Sequence, residues 1–347
     1  MKVLLISAKS ENPTGGIAVW TDYYMARCEN QGIDCRLVNV GMIGSRAKNG
    51  TLRRNLLDEA IRSRRIFRDL RKQMTKNTFD VAHLNTSCGA FGLFRDYLIA
   101  RQIKRKGIPL ITHYHCDINS WLGTGLRFKC LRALASCSNW NLVLCKSSKR
   151  FLRESCNVES LLVPNFIPEA AVRTQPKPIN PTVEKIFFVG RVERSKGARE
   201  MYELAKLLPE KHFYFAGDVC GDVADWEKPD NITLLGAIPN AKVLDYLDEA
   251  DIFLLPSYSE GCSMALIESM ARGVPGVVTD VGANADMLDD GCGIVVPKRN
   301  VQAMVEAIRE MEAPERRAEM SRRSVEKAHR EYTDKNVDKI LDIVKST

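Results

Sequence analysis

The sequence predicts an α/β protein made of two doubly wound, parallel-sheet domains that face a central cleft. Three observations lead there. Short apolar runs alternate with longer helix-patterned segments along the whole chain, the runs are continuous in polarity, and a proline-rich break divides them into two sets of six. Parallel strands need a crossover between them and are covered on both faces, so they read as unbroken apolar stretches. At 347 residues the chain has room for two such domains, since one domain commonly takes about 100–200.

The predicted strands of the first set are 3–6, 36–40, 80–84, 109–112, 142–144 and 161–163. Those of the second are 186–189, 213–215, 232–235, 252–255, 276–278 and 293–296. The opening MKVLLIS is too short for a leader core of about 7–15 apolar residues and reads as the first buried strand. The break is the segment 164–181, where Pro164, Pro168, Pro176, Pro178 and Pro181 leave no periodicity, and it reads as a linker. Domains are therefore expected at 1–170 and 171–332. The tail 333–347 carries Val337, Ile340, Leu341 and Val344 at helical spacing. It is expected to return to the first domain, a helix capping the second being the other reading.

Composition removes several classes. Hydrophobic residues are 45% and charged residues 27% of the chain, which argues against disorder. No apolar run approaches the roughly 18 residues of a membrane span. Eleven cysteines without a C-x-x-C pair do not form a disulfide scaffold, which favours a reduced, cytoplasmic setting. Apart from His113, His115 and Cys116, no spacing suits a metal, and no metal is expected.

The net charge of +8 is unevenly spread. Before Ala171 there are 27 Lys and Arg against 13 Asp and Glu, a net of +14; from Ala171 onward the counts are 24 and 30, a net of −6. Part of the excess lies in the segment 53–72, where Arg53, Arg54, Arg62, Arg64, Arg65, Arg68, Arg71 and Lys72 surround Leu56, Leu57, Ala60, Ile61, Phe67 and Leu70 at helical spacing. A solvated amphipathic helix is one reading. The other is a contact with an anionic membrane surface, which would make the protein peripheral on the inner face of a membrane. Nucleic acid is disfavoured, because Phe67 is the only aromatic residue among these cations.

The strongest chemical signal follows strand 252–255. Glu260, Gly261, Cys262, Ser263 and Met264 lead into a helix that holds Glu268, with Ser263 as its N-cap and Gly273 and Pro275 as its stop. A helix start presents unsatisfied N–H groups and a positive dipole end, which suits a diphosphate. Acids on both sides suit sugar hydroxyls. At the end of strand 186–189, Gly190 allows a turn, and Arg191 and Lys196 place two cations at the same sheet edge, where they also suit a leaving phosphate. In the first domain Asn12, Pro13 and Thr14 precede Gly15 and Gly16, a plain turn or a close approach to a ligand. His113 and His115 end the fourth strand on one side of it, as structural side chains or as part of a site.

This combination, G-G in the first βα loop, His after the fourth strand, G-R-x-x-x-x-K-G, and E-x7-E followed by A-R-G-V-P, resembles the retaining glycosyltransferases of family 4. The resemblance spans nearly the whole chain. It implies the GT-B fold of two Rossmann-like domains, an acceptor-binding first and a nucleotide-sugar-binding second. It implies that Arg191 and Lys196 hold the donor diphosphate, that Glu260 contacts the donor sugar and Glu268 the ribose, and that backbone near Ile238 frames the base. Gly16 would face the diphosphate, and the catalytic histidine would be His115, with His113 second. Two positions depart from the family pattern: Ser263 stands where many members have Pro, and Cys116 follows His115 where Gly or Asp is common.

The expected reaction is metal-independent sugar transfer with retention, from a UDP-sugar in preference to a GDP-sugar, to an acceptor hydroxyl on a lipid-linked or cell-surface polysaccharide precursor. No Asp-x-Asp sequence occurs. A soluble small-molecule acceptor is the near alternative. Two others are a dinucleotide-dependent oxidoreductase, weakened by the lack of G-x-G-x-x-G after any predicted strand, and a non-catalytic nucleotide-sugar-binding protein.

Overall fold

The computed structural model describes residues 1–9, 15–42, 56–121 and 125–345. The chain divides into two units, Met1–Pro164 together with Asn336–Thr347, and Asn165–Lys335. The loop residues Asn12, Pro13 and Thr14 and the cations Arg53 and Arg54 lie outside the described residues.

The first unit runs β1 (Lys2–Ser7), α1 (Gly16–Asn30), β2 (Asp34–Asn39), α2 (Leu56–Lys76), β3 (Val81–Thr86), α3 (Ala90–Arg105), β4 (Leu110–Tyr114), α4 (Ile118–Trp121), α5 (Leu126–Cys137), β5 (Trp140–Val143), α6 (Lys146–Cys156) and β6 (Leu161–Leu162). The second runs β7 (Lys185–Val189), α7 (Ala198–Leu207), β8 (His212–Ala216), β9 (Ile232–Gly236), α8 (Asn240–Glu249), β10 (Ile252–Leu255), α9 (Met264–Ala271), β11 (Gly276–Thr279), α10 (Asn284–Leu288), β12 (Gly293–Val296), α11 (Val301–Glu310) and α12 (Pro314–Glu331), and α13 (Lys335–Lys345) follows. All twelve predicted runs fall on these strands, with ends displaced by no more than two residues. Their apolar continuity has the expected cause: every residue of β3 and of β10 is buried.

Each unit holds one six-stranded sheet with parallel pairings throughout. The second is ordered β12-β11-β10-β7-β8-β9, which is the 3-2-1-4-5-6 order of dinucleotide-binding folds when counted from its own first strand. The first is ordered β2-β1-β3-β4-β5-β6, the other common doubly wound order with a strand added. Strand order reverses between β1 and β3 and between β7 and β10. Beyond the carboxyl ends of such strand pairs a doubly wound sheet leaves a crevice for a ligand.

Two segments pack differently from their sequence reading. The proline-rich stretch is not loose chain, for Phe166, Ile167, Val172 and Lys177 are buried on the second unit. Asn165 donates from Nδ2 to the Cys262 carbonyl at 2.7 Å, and the Arg173 N–H donates to the Ala271 carbonyl at 3.0 Å. On α2 the buried positions are Ile66 and Leu70, whereas Leu57 and Ile61 remain exposed. Nine residues at about 100° each make a half-turn, so Leu57 lies opposite Ile66 and Ile61 opposite Leu70. The apolar residues of this helix therefore do not form one stripe.

Helix α13 belongs with the first unit. Val337, Ile340 and Leu341 are buried, and Arg27 of α1 grips Asp338 through two bonds, Nε to Oδ1 at 3.0 Å and Nη2 to Oδ2 at 2.6 Å.

Candidate active site

In the second unit the candidate residues gather at the reversal of strand order. After β7 the chain turns through Gly190 and a short 3₁₀ turn (Arg194–Lys196) into α7, and after β10 it runs from Pro256 to Ser263 before α9. These two loops touch at a glycine. Gly197 has φ +79°, and a Cβ there would lie 2.4 Å from the Pro256 carbonyl oxygen. Only a residue without a side chain allows this approach. As a result Lys196 Nζ meets Glu260 Oε1 at 2.7 Å, with both side chains largely shielded.

Arg191, half exposed, meets Glu193 Oε1 at 3.1 Å, and the same oxygen accepts from Ser195 Oγ at 2.5 Å. Both candidate cations are thus held by carboxylates at the edge of the sheet. Pairing fixes a flexible side chain in place and leaves its remaining N–H donors for an anionic group.

Helix α9 begins as the sequence indicates. Ser263 is its N-cap and accepts from the Leu266 N–H at 3.3 Å. Gly261 and Cys262 precede it, and the Cys262 thiol is buried with its sulfur 3.8 Å from that of Met287. Met264 opens the helix and is also buried. Glu268 lies inside it, buried, with Oε1 accepting from Asn240 Nδ2 at 2.7 Å. Burial pushes its carboxyl up to about 7, only partly offset by the Asn240 bond. Ile238 is half-buried in the turn between β9 and α8, two residues before Asn240.

Several residues that complete this geometry escaped the sequence reading. Tyr258 ties the two loops together: its N–H donates to the Ser195 carbonyl at 2.9 Å, and its hydroxyl donates to buried Glu200 at 2.7 and 2.9 Å. The Arg299 guanidinium lies 4.6 Å from the centre of its ring. Gly282, after β11, has φ +59°, and a Cβ there would lie 2.3 Å from the Glu260 carbonyl oxygen. Its neighbour Ala283 donates from N–H to the Gly261 carbonyl at 2.8 Å. A glycine before a small residue is too common a pattern to single this position out. Asn240 had a readable signal, since an amide at a helix start close to Ile238 is well placed for a buried acid.

In the first unit Gly15 and Gly16 open α1. His113 and His115 lie on one side of the strand with ring centres 4.3 Å apart, and Trp20 of α1 sits edge-on to both at 5.5 and 5.0 Å. The structure adds His83 of β3, 5.7 Å from His113 and 5.5 Å from Trp20. The environments differ. His113 is fully buried and donates from Nε2 to the Val163 carbonyl at 3.2 Å, and burial pushes its imidazole down to about 3. Burial likewise holds His83 well below its ordinary value. His115 is half-buried, the least enclosed residue of the cluster, although its Nε2 is itself buried.

Among the described residues no three His, Cys, Asp or Glu side chains are placed to hold a metal ion, and no helix is long and apolar enough to cross a membrane.

Two family models match the chain in succession, "Glycosyltransferase Family 4" over residues 14–170 and "Glycosyl transferases group 1" over residues 172–331. The chain belongs to the family 4 glycosyltransferases. Its fold matches that of a sucrose-phosphate synthase from Thermosynechococcus elongatus with a TM-score of 0.81 at 14% identity, covering 99% of this chain and 98% of that one. Anabaena HepE, solved with UDP and glucose, matches with a TM-score of 0.72 at 15% identity over the full length of both chains. These likenesses establish the GT-B architecture. TuaC of Bacillus subtilis, a glycosyltransferase assigned to teichuronic acid biosynthesis, is 37% identical over 122 residues, 35% of this chain and 31% of that one. The chain spans about a third of the length of the curated relatives it matches.

Proposed function

We propose that this protein is a retaining glycosyltransferase that moves a sugar from a nucleotide-diphosphate donor to an acceptor hydroxyl without a metal ion. The observation that carries this reading is the Lys196–Glu260 pair, 2.7 Å apart and beside the start of α9 at the reversal of strand order. Lys196, Arg191 and the first N–H groups of α9 receive the diphosphate. In the transition state positive charge gathers on the sugar and negative charge on the departing phosphate, so fixed cations at the phosphate lower the barrier. Glu260, held by Lys196, accepts from hydroxyls of the transferred sugar. Glu268 accepts from the ribose through the oxygen that Asn240 leaves open, and the turn at Ile238 borders the base. Gly15, Gly16 and His115 serve the donor from the first unit, His115 because buried His113 is already engaged with Val163.

UDP is the favoured nucleotide, a reading supported by the UDP named in the HepE structure. The acceptor is a lipid-linked or cell-surface polysaccharide precursor met at a membrane surface, which the polymer named for TuaC supports. A panel of nucleotide sugars, scored by thermal shift and donor hydrolysis, tests the reading. UDP-sugars should stabilise the protein and turn over in EDTA. Loss of turnover on chelation would remove the metal-free mechanism, and indifference to every nucleotide sugar would remove the transferase reading.

A further inference from the structure

We propose that Arg299 is a positioning residue for the transfer site: its guanidinium clamps the Tyr258 ring against α7, and the clamped ring keeps Glu260 in register with Lys196. This deepens the transferase reading above and rests on it. Arg299 is in conflict with its own surroundings. Its backbone has φ +60°, in the left-handed region where glycine and asparagine are the ordinary occupants. It also stands one position before Asn300, the N-cap of α11, whose side chain accepts from the Ala303 N–H at 3.0 Å. The positive end of the helix dipole disfavours a cation at that position. Two local preferences therefore oppose an arginine here. A residue kept in a strained backbone is held by structure beyond its own segment.

The distant partner is Tyr258. The guanidinium lies over the face of its ring, 4.6 Å from the centre, where the aromatic quadrupole attracts a cation. At the other end of the ring the hydroxyl reaches both oxygens of Glu200, at 2.7 and 2.9 Å, and Glu200 is buried in the first turn of α7. Helices α7 and α11 pack against each other. The ring thus bridges their N-terminal ends, with an acid at its hydroxyl and a cation over its face. Burial and the Glu200 carboxylate push the phenol up, partly offset by Arg299, so it stays protonated and keeps donating.

The backbone of Tyr258 is where the two site loops are set against each other. Its N–H donates to the Ser195 carbonyl at 2.9 Å. Ser195 directly precedes Lys196, and Tyr258 lies two residues before Glu260, so this bond sits beside both members of the 2.7 Å pair. Arg299 acts on that pair through Tyr258. Freeing the ring lets the 256–263 loop shift on the 194–197 turn, and a misplacement of about 1 Å at a reacting site costs up to about a hundredfold in rate.

The test compares R299G, R299K and Y258L in the full chain. Glycine removes the guanidinium together with both local conflicts. R299G should therefore melt no lower than the wild type, while its kcat for hydrolysis of the best donor in the nucleotide-sugar panel falls about ten- to a hundredfold. Its affinity for UDP, measured by calorimetry, should change by less than about twofold, because other residues hold the diphosphate. R299K keeps a cation over the ring and should retain at least about a third of wild-type kcat. Y258L should be as slow as R299G, and combining the two should cost no more than about twofold further, as expected of one shared path. Amide exchange across residues 256–263 should quicken in R299G and stay near wild type in R299K. Wild-type kcat in R299G, R299K as slow as R299G, or unchanged exchange in R299G each overturns the proposal. So does a tenfold loss of UDP affinity in R299G, which would make Arg299 a phosphate ligand. Faster exchange in R299G, in a wild-type background that hydrolyses no nucleotide sugar, would leave the clamp in place and remove the transferase reading instead.

Discussion

Glu268 shows how burial tunes a single side chain. Its carboxyl is raised from 4.5 to about 7 by desolvation, which corresponds to roughly 3 kcal/mol. The unfolded chain releases this proton near pH 4.5 while the native protein keeps it to about 7, so the native state binds more protons through that window. Stability from this group therefore falls as pH rises from 4.5 to 7. E268Q, which is neutral at all pH values, should raise the melting temperature by a few degrees at pH 8 and by much less at pH 4.5. In the proposed role an ionised Glu268 accepts from ribose hydroxyls, so nucleotide binding should lower its pKa and release a proton near pH 7. Calorimetry of UDP binding in buffers of different ionisation enthalpy should detect that proton, and E268Q should abolish it. The Lys196–Glu260 pair carries a separate expectation: K196A or E260A should cut donor turnover by about 10²–10⁴ while leaving circular dichroism unchanged, and near wild-type rates would remove both from the mechanism.

At the scale of elements, the site is assembled by loops pressed against each other where bulk is not tolerated. Gly282 packs its α-carbon against the backbone of Glu260 and Gly261, and Ala283 hydrogen-bonds to the same segment. G282A must either shift this loop or strain its own φ of +59°. Turnover is expected to fall tenfold or more, through displacement of Glu260, with a loss in unfolding free energy of roughly 1–3 kcal/mol measured by denaturant titration. The sequence marked the strands, the Ser263 cap and the helix stop at Gly273, because each is a local preference. It did not mark Tyr258, Glu200 or Gly282, whose roles come from neighbours 58 positions away in the case of Tyr258 and Glu200.

For the whole molecule, the last helix is part of the first unit although the rest of the C-terminal half is not. Ile340 is fully buried there, and I340A should destabilise that unit by about 2–4 kcal/mol, seen as an earlier transition in thermal unfolding. The charge asymmetry also acquires a location. Of the first half's net +14, six arginines border the groove between α2 and α3, while helical spacing alone had set Leu57 and Ile61 with the core residues of α2. Periodicity gives the angle between two residues. It does not say which angle faces the sheet.

The sequence alone determined the two parallel sheets, all twelve strands to within two residues, the cap of α9 and the family, because continuous apolar runs, capping residues and motif spacing act over a few positions at a time. The tertiary structure decided which cation meets which acid, that Asn240 holds Glu268, that His83 joins the two histidines at the end of β4, and that His113 is fully buried while His115 is half-buried. Those outcomes depend on strand order and on the distance of closest approach between loops, and neither is encoded in any short stretch of chain.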